Sequence, residues 1–146
     1  MDKAISCEMP DRNPLEDEVK ALLLKAKIIA VVGLSDRPER ESYQVAQYLK
    51  EKGYTVIPVN PGKDEILGEK CYADLASIPV KVDIVDIFRT IEAVPGVVDE
   101  AISIGAGAVW MQLGLAHGES ARRARSAGLE VVQSKCIKVE HAKMFN

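Results

Sequence analysis

The chain has 146 residues, of which 47% are apolar and 28% charged, and its formal net charge at pH 7 is −3. This composition is ordinary for a single domain with a hydrophobic core. The basic residues are dispersed and lack the concentrated positive field that holds a nucleic acid backbone, so we expect no nucleic acid partner. The polar start of the chain has no apolar core like that of a signal peptide, and we expect a cytoplasmic protein.

Two further classes of protein are disfavoured by the cysteines and by one uncharged run. Cys7, Cys71 and Cys136 are widely spaced and include no Cys-x-x-Cys pair, which argues against a disulfide framework and against a zinc site. Residues 101–118 contain no Asp, Glu, Lys or Arg, but their glycines divide them into a helix end, a turn and a short strand. We therefore expect reduced thiols, no bound metal and no membrane segment.

The predicted elements alternate between helix and strand after a polar arm at residues 1–13. Asn13 as N-cap and Pro14 at the first helical position predict a helix over about 14–25. The aliphatic run at 27–33 predicts a strand buried on both faces. Three units of helix, glycine and strand follow, at 43–60, 97–114 and 119–135. A further strand at 82–88 precedes the second unit. The sequence predicts one α/β domain over 14–146, built on a doubly wound parallel sheet of five strands.

Ligands of such sheets bind beyond the carboxyl ends of the strands, which here begin loops near Gly33, Asn60, Phe88, Gln112 and Ser134. In the first loop, Gly33 can admit a diphosphate and Ser35 can donate its hydroxyl. Ser42 is predicted as the N-cap of the next helix, which would aim free N–H groups at an anion. A strand end followed by a helix cap explains the same residues without a ligand. If a diphosphate does bind there, Gly33→Val should weaken binding more than folding.

The second loop differs from that of an NAD-binding domain. Asn60 stands where such a domain places an Asp or Glu for the ribose hydroxyls, and the first loop lacks the full G-x-G-x-x-G pattern. Asn60 followed by Lys63 tolerates a ribose phosphate, which a carboxylate would repel. An NAD(P)-dependent oxidoreductase is therefore the weaker alternative.

The remaining loops add candidate binding groups and no conventional catalytic set. Phe88 and Arg89 place an aromatic face beside a guanidinium, which suits a purine or a long thin chain together with an anion. Trp110 is expected in the core. Cys136 is either a small buried hydrophobe or a thiol beside the ligand. No H-E-x-x-H or G-x-S-x-G pattern occurs, and we assign no catalytic residue.

Several blocks of the sequence, in order, resemble one known family. The blocks lie at 31–61, 65–79, 82–89, 108–114 and 135–141, and they are similar to signature segments of the small single-domain coenzyme A-binding proteins. That family has a Rossmann-like fold similar to the N-terminal CoA-binding domain of the succinyl-CoA synthetase α subunit and of ADP-forming acyl-CoA synthetases. The resemblance runs from about residue 27 to 143.

The resemblance implies a coenzyme A site that is distributed over the strand ends. The diphosphate would lie on Gly33, Leu34 and Ser35, with Arg40, Ser42 and Tyr43 beside it. The adenosine end would be surrounded by Asn60, Pro61 and Lys63. The cofactor channel would be lined by Phe88 and Arg89, with Gln112 and Cys136 toward the pantetheine arm. Asp36 and Lys135 depart from the family pattern, and an ion pair of Asp36 with Arg37 or Arg40 would account for the first departure.

The resemblance implies a protein that binds CoA or an acyl-CoA without catalysis of its own. The related synthetases form their thioester through a phosphohistidine on a further domain, and we expect no such machinery in this chain. The alternatives are the oxidoreductase and a CoA-binding subunit that assembles in trans with an unidentified protein partner. With no acid at position 60, Arg40 and Lys63 are expected to bind the 3′-phosphate of CoA.

Overall fold

The computed structural model describes residues 12–146. The helices of this part are α1 (Glu16–Lys25), α2 (Glu41–Glu51), α3 (Val94–Ser103), α4 (Gly118–Ser126) and α5 (Ile137–Phe145). The strands are β1 (Ile28–Val32), β2 (Thr55–Val59), β3 (Glu65–Ile66), β4 (Glu69–Lys70), β5 (Ile84–Ile87), β6 (Ala108–Met111) and β7 (Glu130–Val132). Of the predicted arm at 1–13, only Arg12 and Asn13 fall within the described residues, and Cys7 lies outside them.

The main sheet has five parallel strands in the order β2-β1-β5-β6-β7. This confirms the predicted α/β architecture with a five-stranded parallel sheet. The chain moves outward from β1 to β2 and then crosses back, so the strand order reverses between β1 and β5. In sheets of this kind, that reversal leaves a crevice at the carboxyl ends of the two strands.

Helices cover both faces of this sheet, which explains the continuous aliphatic strands. On one face, α1, α2 and α5 pack through Val19, Leu22, Leu23, Val45, Leu49 and Ile137. On the other, α3 and α4 pack through Val94, Val97, Val98, Ala101, Ala121 and Ala124. Trp110 is fully buried in the first of these layers, as predicted, and its indole N–H donates to the Lys135 carbonyl at 2.7 Å.

The predicted start of α1 is wrong by two residues, because Asn13 has a different role. Its side-chain amide donates to the Gln133 carbonyl at 2.9 Å, and its side-chain oxygen accepts from the Gln133 N–H at 2.7 Å. The helix instead begins at Glu16, and Glu18 accepts from the Leu15 N–H at 2.8 Å. Asn13 therefore attaches the start of the domain to the end of β7.

Two elements have no counterpart in the sequence prediction. The first is the hairpin β3–β4, where Leu67 and Gly68 form the turn with positive φ angles of 56° and 74°, as a two-residue hairpin turn requires. The second is α5, which buries Ile137 against the first helical layer. Beside α5, His141 Nδ1 lies 2.8 Å from the Tyr48 hydroxyl of α2, and burial lowers the pKa of this histidine.

The cysteines and acidic groups of the described part form no evident metal site. Cys71 is buried and Cys136 is half-buried, and both are free thiols. Burial raises the pKa of the Cys71 thiol. Within residues 12–146, no group of three or more His, Cys, Asp or Glu side chains is placed to hold a metal ion. Across the same residues, no helix combines the length and apolar character needed to cross a membrane.

Candidate functional site

A cleft of about 820 Å³ opens at the carboxyl ends of β1, β2, β5 and β6. It lies at the point where the strand order reverses, which is where this type of sheet binds its ligands. Its lining includes predicted site residues from four loops, namely Gly33, Ser35, Arg40, Ser42, Asn60, Pro61, Phe88, Arg89 and Gln112. It also includes Glu41, Thr90, Leu113, Gly114 and Leu115, which the sequence prediction did not name.

Gly33 allows the β1 and β5 loops to approach each other closely. Its φ angle is +86°, its N–H donates to the Val59 carbonyl at 2.9 Å, and an added Cβ would overlap the Phe88 carbonyl oxygen and lie 2.9 Å from Arg89 Cδ. A side chain at position 33 would therefore collide with the protein itself. Gly33→Val should therefore destabilise the fold itself, contrary to the expectation that it would weaken ligand binding more than folding.

The N-terminus of α2 opens into the cleft without a side-chain cap. Ser42 was predicted as the N-cap but is the second residue of the helix, and its hydroxyl oxygen accepts from the Ser35 N–H at 3.0 Å. Arg40 occupies the N-cap position and makes no capping hydrogen bond with its side chain. Free N–H groups at an uncapped helix start attract anions, so the start of α2 can still receive an anion although Ser42 is not its cap.

Two arginines and one glutamate are the charged residues of the cleft lining. Neither Arg40 nor Arg89 forms an ion pair with any residue in 12–146, whereas nearby Arg37 lies 3.6 Å from Glu39. Glu41 sits in the first turn of α2, where a carboxylate is favoured by the helix dipole. The cleft therefore presents two cationic groups that are available to a ligand.

The side chains of Asn60 and Lys63 connect the loop after β2 to the loop after β1. Asn60 donates from Nδ2 to the Leu34 carbonyl at 3.0 Å and accepts at Oδ1 from the Gly62 N–H at 2.9 Å. Lys63 Nζ lies 2.9 Å from Asp36 Oδ2, and the hydrogen bond from Lys63 lowers the pKa of this carboxyl. The predicted partners of Asp36, Arg37 and Arg40, are therefore wrong, because Lys63 reaches it from the neighbouring loop.

The other predicted site residues lie next to the cleft and are not part of its lining. Leu34 is fully buried and packs into the first helical layer, and Tyr43 is half-buried against the same layer. Lys63 is engaged by Asp36. Cys136 is half-buried at the N-cap position of α5, one residue before the N–H that contacts Gln112.

Gln112 carries an unused hydrogen-bond donor at the wall of the cleft. Its side chain is 3% exposed, and Oε1 accepts from the Ile137 N–H at 3.3 Å. Nε2 is buried and has no partner among the described residues. Burying an amide N–H without a partner costs about 1–3 kcal/mol, so this group is a natural donor for a ligand.

Asp86 is a buried acid in the middle of β5. It is fully buried on the face that Trp110 shares, and neither carboxyl oxygen has a partner among the described residues. Burial raises the pKa of Asp86 well above its ordinary value, because a low-dielectric environment disfavours the charged carboxylate. The signal that the sequence prediction overlooked was an Asp inside the otherwise apolar run of residues 84–87.

The fold and the position of the cleft define a Rossmann-like α/β protein with a cleft at its topological switch point. The sequence profile of the CoA-binding domain family matches residues 27–142. The chain belongs to this family.

Relatives share either the whole chain or one region of a larger enzyme. The uncharacterized protein YneT of Bacillus subtilis is 44% identical over 131 residues, which cover 90% of this chain and 97% of YneT. A solved structure of a hypothetical protein from Pyrococcus horikoshii OT3 is 36% identical, with a TM-score of 0.90 and full coverage of both chains. The ADP-forming acetate–CoA ligase II of Archaeoglobus fulgidus is 31% identical over 80% of this chain, which spans only 18% of that ligase.

Proposed function

We propose that this protein binds coenzyme A or an acyl-CoA in the cleft and has no catalytic activity of its own. The observation that carries the proposal is the uncapped start of α2, beside two unpaired arginines, at the switch point of a domain from the CoA-binding family. Helix N-termini and arginines are the groups that proteins use to hold diphosphates. The function would be regulatory, or delivery of the cofactor to a partner.

The residues of the cleft fit the parts of coenzyme A. The diphosphate would lie against the first turn of α2, and Phe88 and Arg89 would flank the chain that leads from it. The volume of about 820 Å³ falls within the range that cofactor sites span. Arg40 is the better candidate for the 3′-phosphate, because Lys63 is held by Asp36 outside the cleft lining.

A CoA-binding subunit assembled in trans is the second candidate function. The similarity to one region of an acetate–CoA ligase supports it, because the remaining parts of such an enzyme would then come from a partner. An NAD(P)-dependent oxidoreductase is less well supported. Position 60 holds no acid for a ribose, and both ends of the Asn60 amide are already used by Leu34 and Gly62.

The proposal is tested by adding CoA or NADH to the purified protein and measuring the melting temperature. A ligand that binds only the folded state raises this temperature by mass action, so CoA should raise it and NADH should not. Native mass spectrometry of the protein as purified should detect a co-purified CoA species. A shift with NADH and none with CoA would contradict the proposal.

The arginines are tested by calorimetric titration of variants. Arg40→Ala and Arg89→Ala should each weaken CoA binding about ten- to a hundredfold, which corresponds to the loss of one charge-assisted contact of about 1.5–3 kcal/mol. Arg37→Ala is the matched control, because Arg37 is an exposed arginine of the same loop that is paired with Glu39 outside the cleft lining. Dephospho-CoA should bind wild type more weakly than CoA, and Arg40→Ala should abolish that difference. Equal losses in all three variants would contradict the assignment.

A further inference from the structure

The cleft has a charged end and a neutral end. Arg40, Glu41 and Arg89 belong to the loops after β1 and β5. The loop after β6 contributes Gln112, Leu113, Gly114 and Leu115 to the lining, and residues 112–118 contain no Asp, Glu, Lys or Arg. We call residues 112–115 the neutral end of the cleft. A ligand that fills the whole cleft therefore needs an anionic part and an uncharged part.

At the neutral end, one hydrogen bond orients the side-chain amide of Gln112 and leaves its nitrogen without a partner among the described residues. The N–H of Ile137 requires an acceptor, so the oxygen of the Gln112 amide points to Ile137 and its nitrogen points elsewhere. α5 and α2 pack on the same face of the sheet, and the first residues of α2 line the cleft. Gln112 thus lies between α5 and the cleft, with Nε2 buried and without a partner in the described part of the chain.

The same end also offers an apolar surface. Leu113 follows Gln112 directly, lines the cleft and is 70% exposed, while Leu115 of the same lining is half-buried. A single exposed leucine is ordinary on a protein surface. Here the leucine stands at the wall of a cleft, next to a buried donor that lacks an acceptor, and the two observations are independent of each other.

We infer that the neutral end receives the acyl group of an acyl-CoA, and that the protein prefers an acyl-CoA to free CoA. This inference rests on the proposed function. Gln112 Nε2 donates to the thioester carbonyl, and Leu113 contacts the acyl chain. Free CoA ends in a thiol, which is a weak hydrogen-bond acceptor and carries no acyl chain. It therefore provides neither a carbonyl for Gln112 Nε2 nor an apolar chain for Leu113.

The inference is tested by titrating three ligands into the wild-type protein under reducing conditions. The ligands are CoA, butyryl-CoA and S-butyl-CoA, a thioether that has the same number of acyl-chain carbons but no carbonyl. We expect butyryl-CoA to bind most tightly and CoA least tightly. The carbonyl should add about two- to tenfold in affinity, and each methylene that becomes fully buried should add about fourfold.

Variants separate the two contributions. Gln112→Glu keeps an oxygen for the Ile137 N–H but removes the donor, so the affinity ratio of butyryl-CoA to S-butyl-CoA should fall to about one. Gln112→Met, which keeps the shape, provides the same comparison if the first variant fails to fold. Leu113→Ser should reduce the preference for both acyl ligands over CoA. Leu24→Ser is its matched control, because Leu24 is 67% exposed on α1 and lies outside the cleft lining.

The outcomes distinguish this inference from the function on which it rests. Free CoA that binds wild type as tightly as butyryl-CoA would overturn the acyl preference and leave CoA binding intact. Failure of all three ligands to bind would overturn the proposed function and this inference together. A ratio of butyryl-CoA to S-butyl-CoA that stays unchanged in both Gln112 variants would overturn the role of Gln112.

Discussion

Asp86 and Gln112 are the two side chains in the described part of the chain that bury polar atoms without hydrogen-bond partners. Both lie at the carboxyl-terminal half of the sheet, on β5 and directly after β6. Buried polar groups are normally paired, so each of these requires an explanation. For Gln112 we propose a ligand at the cleft, whereas the raised pKa of Asp86 reduces the cost of burying its carboxyl by favouring the uncharged form.

Asp86 predicts a specific dependence of stability on pH. An unfolded Asp loses its proton near pH 3.9, but burial raises the pKa of Asp86 in the folded state. Between these two pKa values, the folded state binds more protons than the unfolded state. The contribution of Asp86 to stability is therefore fullest below the unfolded pKa, and it falls as pH rises, by up to about 1.4 kcal/mol per pH unit.

Asp86→Asn should remove this slope. The measurement is the free energy of unfolding by urea at several values between pH 5 and pH 8, compared with wild type. Asp64→Asn is the control, because it makes the same change at an exposed position. Identical slopes in wild type and Asp86→Asn would show that the buried acid does not titrate as we describe.

At the scale of single residues, the sequence predicted the positions of the side chains at the cleft better than it predicted their hydrogen-bond and ion-pair partners. Asn60 and Lys63 were placed beside a ligand, but Asn60 braces two loops and Lys63 neutralises Asp36. Such pairings connect loops that are distant in sequence, and no local pattern reports them. The five lining residues that were missed belong to no recognisable binding motif. They line the cleft because of where the fold places them, which the local sequence does not show.

At the scale of elements, the five strands of the main sheet were predictable because each contains a short, mostly apolar run that glycines or turns separate from the neighbouring helices. The helix starts were less predictable. Asn13 and Ser42 have the side chains of N-caps, yet both form other hydrogen bonds, to Gln133 and Ser35 respectively. A residue's capping tendency is a local preference, and partners brought together by the fold override it. The helix α5 was missed because its apolar residues form no single stripe: Val139 is 53% exposed, whereas Glu140 and His141 are buried.

Gly33 gives the clearest prediction at this scale. Gly33→Ala and Gly53→Ala should both cost about 1–2 kcal/mol in the free energy of unfolding, because alanine disfavours the left-handed backbone region, where φ is +86° and +99°. Only position 33 adds a collision with the Phe88 carbonyl, while nothing lies within 4 Å of an added Cβ at position 53. Gly33→Ala should therefore cost about 1–3 kcal/mol more. Denaturant unfolding of the two variants measures the difference, and equal losses would contradict the close approach.

At the scale of the whole molecule, the parallel sheet followed from the alternation of helices and strands alone. The sequence did not define the strand order, since several orders satisfy the same alternation. The order β2-β1-β5-β6-β7 is what brings the β1 and β5 loops side by side. The family resemblance, and not the pattern of residues, connected that position with coenzyme A.

The central claim is that coenzyme A binds at this edge of the sheet, and amide chemical shifts measured during a CoA titration of the ¹⁵N-labelled protein test it most directly. We expect the largest shift changes in residues 33–42, 60–61, 88–90 and 112–115, which surround the cleft. Amides at the opposite edge, such as those of Lys27, Asp83 and Gly107, should change little. Saturable changes confined to that opposite edge, or no changes at all at millimolar CoA, would contradict the claim.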